Sequence, residues 1–190
     1  PFPFDPKSIH AVLVTHAHLD HIGRLPLLVR GGFAGPIYCT PPTADIIPLE
    51  LEDTLEIMSY EHRKFQAPLL YTADDIARTI SRIERVDYNV VRDISPGITA
   101  VWRDAGHIFG SAFIELHTPE GHLAFSGDIG NVNAPIIRDT EKLGPVSTLI
   151  VESTYGDRNH APAEDRYVAL RRVLTSALSR GGTVLLPAFS

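Results

Sequence analysis

The sequence predicts a layered α/β fold, and three observations carry that expectation. Short β-branched apolar runs alternate with stretches of helical periodicity along one 190-residue chain. The middle of the chain switches to a period of two and reads as a series of strands. Polar residues of catalytic type recur just after strand-like runs, where α/β sheets gather their ligand sites.

The elements follow in order. "AVLVT" (11–15) suits a strand buried on both faces. "HIGRLPLLVRGG" reads as one short helix stopped by Gly31 and Gly32, and "PIYCT" (36–40) as a second strand. From Thr43 to Lys64, Ile46, Ile47, Leu51, Leu55, Ile57 and Met58 recur at helical spacing, with Pro48 near the start or at a kink. "TADDIARTISRI" opens with a Thr72 cap and an acidic first turn, and Ile76, Ile80 and Ile83 share one helical face. "YNVVRDI", "ITAVWRD", "SAFIELHT" and "HLAFSGD" read as strands, with Pro119–Gly121 as a hairpin turn. "TLIVEST" (148–154) is expected to be another buried strand. "AEDRYVALRRVLTSALSRGG" is a helix with Leu170, Val173, Leu174, Ala177 and Leu178 on one face, and "TVLLPAFS" a last strand.

Composition narrows the class. The chain is 44% hydrophobic and 21% charged, which is globular, and no apolar run approaches the ~20 residues that span a bilayer. Cys39 is the only cysteine, so a disulfide framework and a thiolate zinc site are both excluded and a reducing, cytoplasmic setting is expected. The net charge of -6 argues against sequence-independent binding along a nucleic-acid backbone, but leaves room for a cleft made cationic by bound metal. The absence of an initiator methionine and the abrupt ends suggest a fragment of a longer protein.

"THAHLDH" (15–21) places three histidines and an aspartate within six residues. Chance at this composition gives H-x-H-x-D-H in roughly one chain in a thousand, which favours ligation over a solvated loop. Residues two apart in an extended segment face the same side, so His16 and His18 can aim at one ion. The turn that follows presents Asp20 and His21 elsewhere, which suits two neighbouring metals, and zinc accepts both donor types. His107, between Gly106 and Gly110, and Asp128, in "FSGDIG", are ordinary strand-end residues when taken alone, and plausible further ligands beside the cluster.

The successive segments "THAHLDH", "AGHIFGSA", "FSGDIG" and "VESTYGDRNH" resemble the motifs of the metallo-β-lactamase superfamily, and more narrowly its β-CASP nuclease branch. The histidine motif marks only the superfamily, and "ESTYGDR" with His160 narrows it. The resemblance covers nearly the whole chain. It implies a partial αββα sandwich over residues 1–156, the beginning of a β-CASP lid over 157–190, and hydrolysis of RNA phosphodiesters, internally or from an end. It implies that His16, His18 and His107 hold one zinc, that Asp20 and His21 hold a second, and that Asp128 bridges them. Asp20, Asp128 and Glu152 are then the carboxylates of the chemistry, and Glu at 152 resembles the RNA-cleaving members.

Upstream hairpins and most of the lid of the resembled family lie outside this sequence, with a histidine that completes the second site. Two zinc ions are therefore expected in the intact protein, and weak binding of the second by this chain. RNA is the expected substrate and a membrane is not a partner; a homodimer or a larger RNA-processing complex is left open. Three rivals stand beside this: a thioester or lactone hydrolase on the same scaffold, a catalytically dead RNA-processing subunit, and a DNA nuclease. His10, His62, His117 and His122 read as surface or strand-face histidines without partner spacing. Trp102 reads as packing, Arg63, Lys64, Arg82 and Arg85 as helix-surface charges, and "GGFAG" as a turn.

Overall fold

The computed structural model describes residues 2–159 and 162–186. It divides into two compact units, Pro1–Glu152 and Ser153–Ser190.

In the first unit, strand β1 (Val12–Leu13) leads into two short helices, α1 (Leu19–Ile22) and α2 (Leu25–Arg30). The single expected helix is thus broken at Gly23 and Arg24, ahead of Pro26, whose ring suits a first turn. Strand β2 (Ile37–Cys39) follows, fully buried as its composition requires. Helix α3 (Pro41–Phe65) carries Pro48 in its interior. Its N-cap is Thr40, whose hydroxyl accepts from the Thr43 N–H. Helix α4 (Ala73–Ile80) begins on a Thr72–Asp75 capping box.

That helix ends before Ile83, which opens strand β3 (Ile83–Arg85). Ile83 therefore does not share the helical face of Ile76 and Ile80: pairing in register with Ile37 of β2 overrides a helical period that the side chains alone would continue. Arg82 and Arg85 leave the helix surface with it. Arg82 donates to the Ala34 carbonyl and Arg85 pairs with Asp45.

Strands β4 (Arg92–Ser95), β5 (Ile98–Asp104), β6 (Ala112–Thr118), β7 (Gly121–Phe125) and β8 (Thr148–Ile150) form the second sheet, in that order. β4 is shorter than "YNVVRDI" suggested. The first four run antiparallel and β8 joins β7 in parallel, whereas β1, β2 and β3 form a parallel sheet. β8 is a correction: Leu149 and Ile150 are 47% and 48% exposed, because among the described residues the strand lies at the sheet edge with β7 as its one neighbour.

One apolar cluster joins α1–α4 to the parallel sheet, with Ile37, Ile47 and Leu51 at 0% exposure. Each such side chain contributes about 1.5–3 kcal/mol relative to exposure. A second cluster lies between the sheets around Tyr38, Ala100, Ile114 and the fully buried Trp102, whose Nε1–H donates to the Val14 carbonyl at 3.0 Å. Trp102 is packing, as its sequence context suggested. β1 is half-buried at the edge of its sheet rather than buried on both faces. Cys39 is a free, buried thiol, pushed up to about 12 by burial.

The second unit contains helix α5 (Ala163–Ser179), in place as expected. Ala177 is buried, while Leu170, Val173 and Leu178 of the expected apolar face stay exposed. Residues 183–186 carry no strand, against expectation, and residues 187–190 of that segment lie outside the described residues, as does His160. No helix among the described residues is long and apolar enough to cross a membrane.

Candidate metal centre

The chain leaves β1 in extended conformation, and the Thr15 carbonyl accepts from the Ala112 N–H at 2.7 Å, which fastens the first histidine segment to the start of β6. His16 follows and is fully buried. Its Nδ1 meets the Thr15 hydroxyl at 3.1 Å, leaving Nε2 to face His18 and Asp128. Burial, then the neighbouring His21, His18 and His107, hold its pKa down to about 3, so the ring is kept neutral, the form that binds metal. His18 is the N-cap residue of α1, still extended at ψ 144°, which returns its ring to the same side as His16.

His107 comes from the loop between β5 and β6. Gly106 and Gly110 flank it at φ +64° and +84°, a backbone conformation that glycine tolerates. The loop is tied down from within and without. The Ser111 hydroxyl accepts from the N–H groups of His107 and Ile108 at 3.0 and 3.2 Å. The Gly110 carbonyl accepts from the hydroxyls of Thr40 and Thr43 at 2.6 and 2.9 Å. Burial, then the charge of His18, lowers the His107 pKa, while Asp128 and Glu152 oppose that shift.

Asp128 comes from the loop after β7, which sits directly on the His107 loop. The Gly130 N–H donates to the Ala105 carbonyl at 2.9 Å, and a Cβ on Gly130 would stand 1.5 Å from the Gly106 carbonyl oxygen. Only glycine permits so close an approach. Glu152 braces the same loop: its Oε1 accepts from the Ile129 N–H at 2.7 Å and its own N–H donates to the Ser126 hydroxyl at 3.0 Å.

These four segments converge. His18 Nδ1 lies 3.1 Å from His16 Nε2 and 3.2 Å from His107 Nε2. Asp128 Oδ2 lies 3.6 Å from His16 Nε2 and 3.5 Å from His107 Nε2. One donor atom from each residue falls within 4.8 Å of every other. Donors bound at about 2.0–2.2 Å in a tetrahedron stand roughly 3.3–3.6 Å apart, so the spacing is close to the edges of a zinc-sized site. Asp128 turns its other oxygen, Oδ1, to His21 Nε2 at 3.4 Å, and Asp20 Oδ2 lies 3.5 Å from that same nitrogen. One carboxylate therefore faces two neighbouring groups of donors. The second group is more open, with the Asp20 side chain 77% exposed.

Every site residue singled out from the sequence among 16, 18, 20, 21, 107, 128 and 152 lies at or beside this cluster. Sequence reasoning missed the supporting hydroxyls of Thr40, Thr43 and Ser111. The signal for Ser111 was its place four residues after His107 in a glycine-flanked turn, where a serine oxygen caps backbone N–H groups.

Comparison with known proteins places the chain in a class. Residues 3–176 match the family model of the metallo-beta-lactamase superfamily, and the chain belongs to that superfamily, whose members depend on metal. Among its relatives, it is 41% identical over 191 residues to Transcription termination factor FttA of Methanocaldococcus jannaschii, covering 98% of this chain and 30% of that protein. It is 37% identical over 191 residues to Ribonuclease TTHA0252 of Thermus thermophilus, covering 100% of this chain and 42% of that protein. The FttA of Pyrococcus abyssi is 41% identical over 188 residues, covering 96% of this chain and 28% of that protein. The chain thus spans less than half the length of these relatives.

Proposed function

We propose that this chain is the metal-binding core of a β-CASP ribonuclease, a zinc-dependent hydrolase that cuts RNA phosphodiester bonds internally or from an end. On this reading residues 1–156 form the metallo-β-lactamase core, residues 157–190 begin the β-CASP domain, and the protein works in the cytoplasm. The observation that carries the proposal is the spacing of His16 Nε2, His18 Nδ1, His107 Nε2 and Asp128 Oδ2, three imidazole donors and one carboxylate with neighbouring atoms 3.1–3.6 Å apart. Membership of the superfamily and likeness to a protein named a ribonuclease support the choice of reaction and substrate.

His16, His18, His107 and Asp128 would hold one zinc; Asp20, His21 and the second oxygen of Asp128 would hold the other. When bound, the two ions supply a water acidified toward neutral pH and positive charge for the phosphate oxygens. The protein residues do the rest. Buried His16 stays unprotonated, so it remains a ligand through mildly acidic pH. Asp128 fixes the spacing of the two donor groups, because its two oxygens are the rigid link between them. Exposed Asp20 stands on the side that solvent reaches. Glu152 holds the Asp128 loop through the Ile129 N–H, and so acts as a positioning residue.

The test is cleavage of a labelled single-stranded RNA by the full-length protein, with thioester and single-stranded DNA substrates in parallel. RNA cleavage, lost in Asp128→Ala, is expected. Unchanged RNA cleavage in that variant would overturn the assignment, and a preference for the thioester would redirect it to a small-molecule hydrolase.

A further inference from the structure

A second convergence of metal-type donors lies on the outer face of the antiparallel sheet. Alternation along β6 turns Ile114 and Leu116 inward to the core and Glu115 and His117 outward. His122 of β7 is the direct cross-strand partner of His117. The two rings stack with centroids 3.9 Å apart and 20° between planes. Both present Nε2 to the same carboxylate oxygen, Glu115 Oε2, at 3.3 Å from His122 and 4.0 Å from His117.

The Glu115 side chain is 7% exposed, and its other oxygen is taken: Oε1 accepts from Arg103 Nε at 3.0 Å. Arg103 is held in turn by the Asn89 side chain, so the carboxylate is pinned with Oε2 turned to the histidines. His122 Nε2 is buried yet makes no hydrogen bond, the contact with Glu115 being too poorly aligned for one. A buried polar nitrogen left in that state is destabilising unless something else satisfies it. One donor atom from each of the three residues lies within 4.8 Å of the other two.

We propose that Glu115, His117 and His122 form a further zinc site, one that clips β6 to β7 and is separate from the two-metal centre at His16 and His21. Two imidazoles and one carboxylate are a donor set that zinc takes, with a fourth position left to water. The 3.3 Å spacing of His122 Nε2 and Glu115 Oε2 is already close to the edge of a tetrahedral zinc site, roughly 3.3–3.6 Å. Metal binding requires His117 to turn out of its stack with His122 and close the 4.0 Å gap to Glu115, a rotamer change that its 47% exposed side chain is free to make. The Arg103 guanidinium orients the ligand but repels a cation, so the site binds more weakly than a closed four-ligand one. It also sits away from the chemistry: His117 is five residues along β6 from Ala112, about 17 Å at ~3.4 Å per residue, and Ala112 is the residue bonded to the first histidine segment. Its role is to hold the hairpin.

The experiment is equilibrium dialysis of the full-length protein against buffered free zinc, with metal counted by mass spectrometry. Wild type is compared with His117→Ala, His122→Ala and, as a control, His62→Ala on α3. His117→Ala and His122→Ala should each bind one ion fewer per chain than wild type, with His62→Ala and RNA cleavage unchanged. His117 is exposed enough that its removal leaves the fold intact, which far-ultraviolet circular dichroism checks. Equal zinc counts in wild type and both variants would overturn the proposal. So would an equal loss in His62→Ala, which would mark surface histidines binding zinc adventitiously. Because the count difference is read against wild type, it stands or falls apart from the function proposed for the His16 centre.

Discussion

Replacing Gly130 with alanine tests how the centre is built without touching any donor. The added Cβ would stand 1.5 Å from the Gly106 carbonyl oxygen and 2.1 Å from its carbon, both backbone atoms, whereas ordinary contact begins near 3.4 Å. Neither partner can swing aside as a flexible side chain would, so the loops carrying Asp128 and His107 must part by roughly 2 Å. Asp128 Oδ2 and His107 Nε2, now 3.5 Å apart, would then stand beyond about 5 Å. Two donors bound to one zinc at about 2.0–2.2 Å each can be no more than ~4.4 Å apart even on opposite sides of it. The variant should therefore lose one ligand of the first site outright. A fall in zinc affinity larger than the roughly 10–100-fold cost of losing an outer-sphere partner is expected. Overpacking should also cost about 1–3 kcal/mol of stability. Competition with a chromogenic chelator measures the affinity, and urea denaturation the stability. A Gly130→Ala protein that binds zinc as tightly as wild type would refute the claim that this glycine contact sets the donor spacing.

Two further outcomes follow from the same geometry. Ser111→Ala removes the oxygen that accepts from the His107 and Ile108 N–H groups; zinc affinity by chelator competition should drop about 10–100-fold, with helix and sheet content unchanged. Asp75 is desolvated, which alone would raise its pKa, but hydrogen bonds from Thr72 and Arg78 outweigh this and hold it below its usual 3.8. A carboxylate depressed on folding stabilises above its unfolded pKa and loses that contribution as pH falls through the folded value. The urea-midpoint advantage of wild type over Asp75→Asn should thus be constant from neutral pH down to about 5 and shrink below 3.8. An advantage that persisted undiminished at the acid end would contradict the ion-pairing seen at this cap.

What could be read in the sequence was local. "THAHLDH" announces its chemistry because the donors are neighbours in the chain and extended backbone turns residues 16 and 18 to one side. The Thr72 cap was legible for the same reason, since a capping box spans only four residues. The break of the first expected helix at Gly23 and Arg24 is local, but several other misreadings involve partners distant in sequence. Ile83 keeps the helical period of Ile76 and Ile80, and only pairing with β2 draws it into a strand. Leu149 and Ile150 have the composition of a buried strand, but their place at a sheet edge leaves them half exposed. Gly106 and Gly130 look like ordinary turn glycines until the two loops are seen pressed together. His117 and His122 were set aside as separate surface histidines. A two-residue turn at Pro119–Glu120 makes residues 117 and 122 face each other, so the hairpin register held the signal.

Anomalous X-ray scattering collected at the zinc edge on crystals of the full-length protein tests the central claim most directly. The account predicts a strong peak about 2.0–2.2 Å from His16 Nε2, His18 Nδ1, His107 Nε2 and Asp128 Oδ2, and a second beside His21 within reach of Asp128 Oδ1. Crystals grown with zinc that show no anomalous density between these side chains would contradict it.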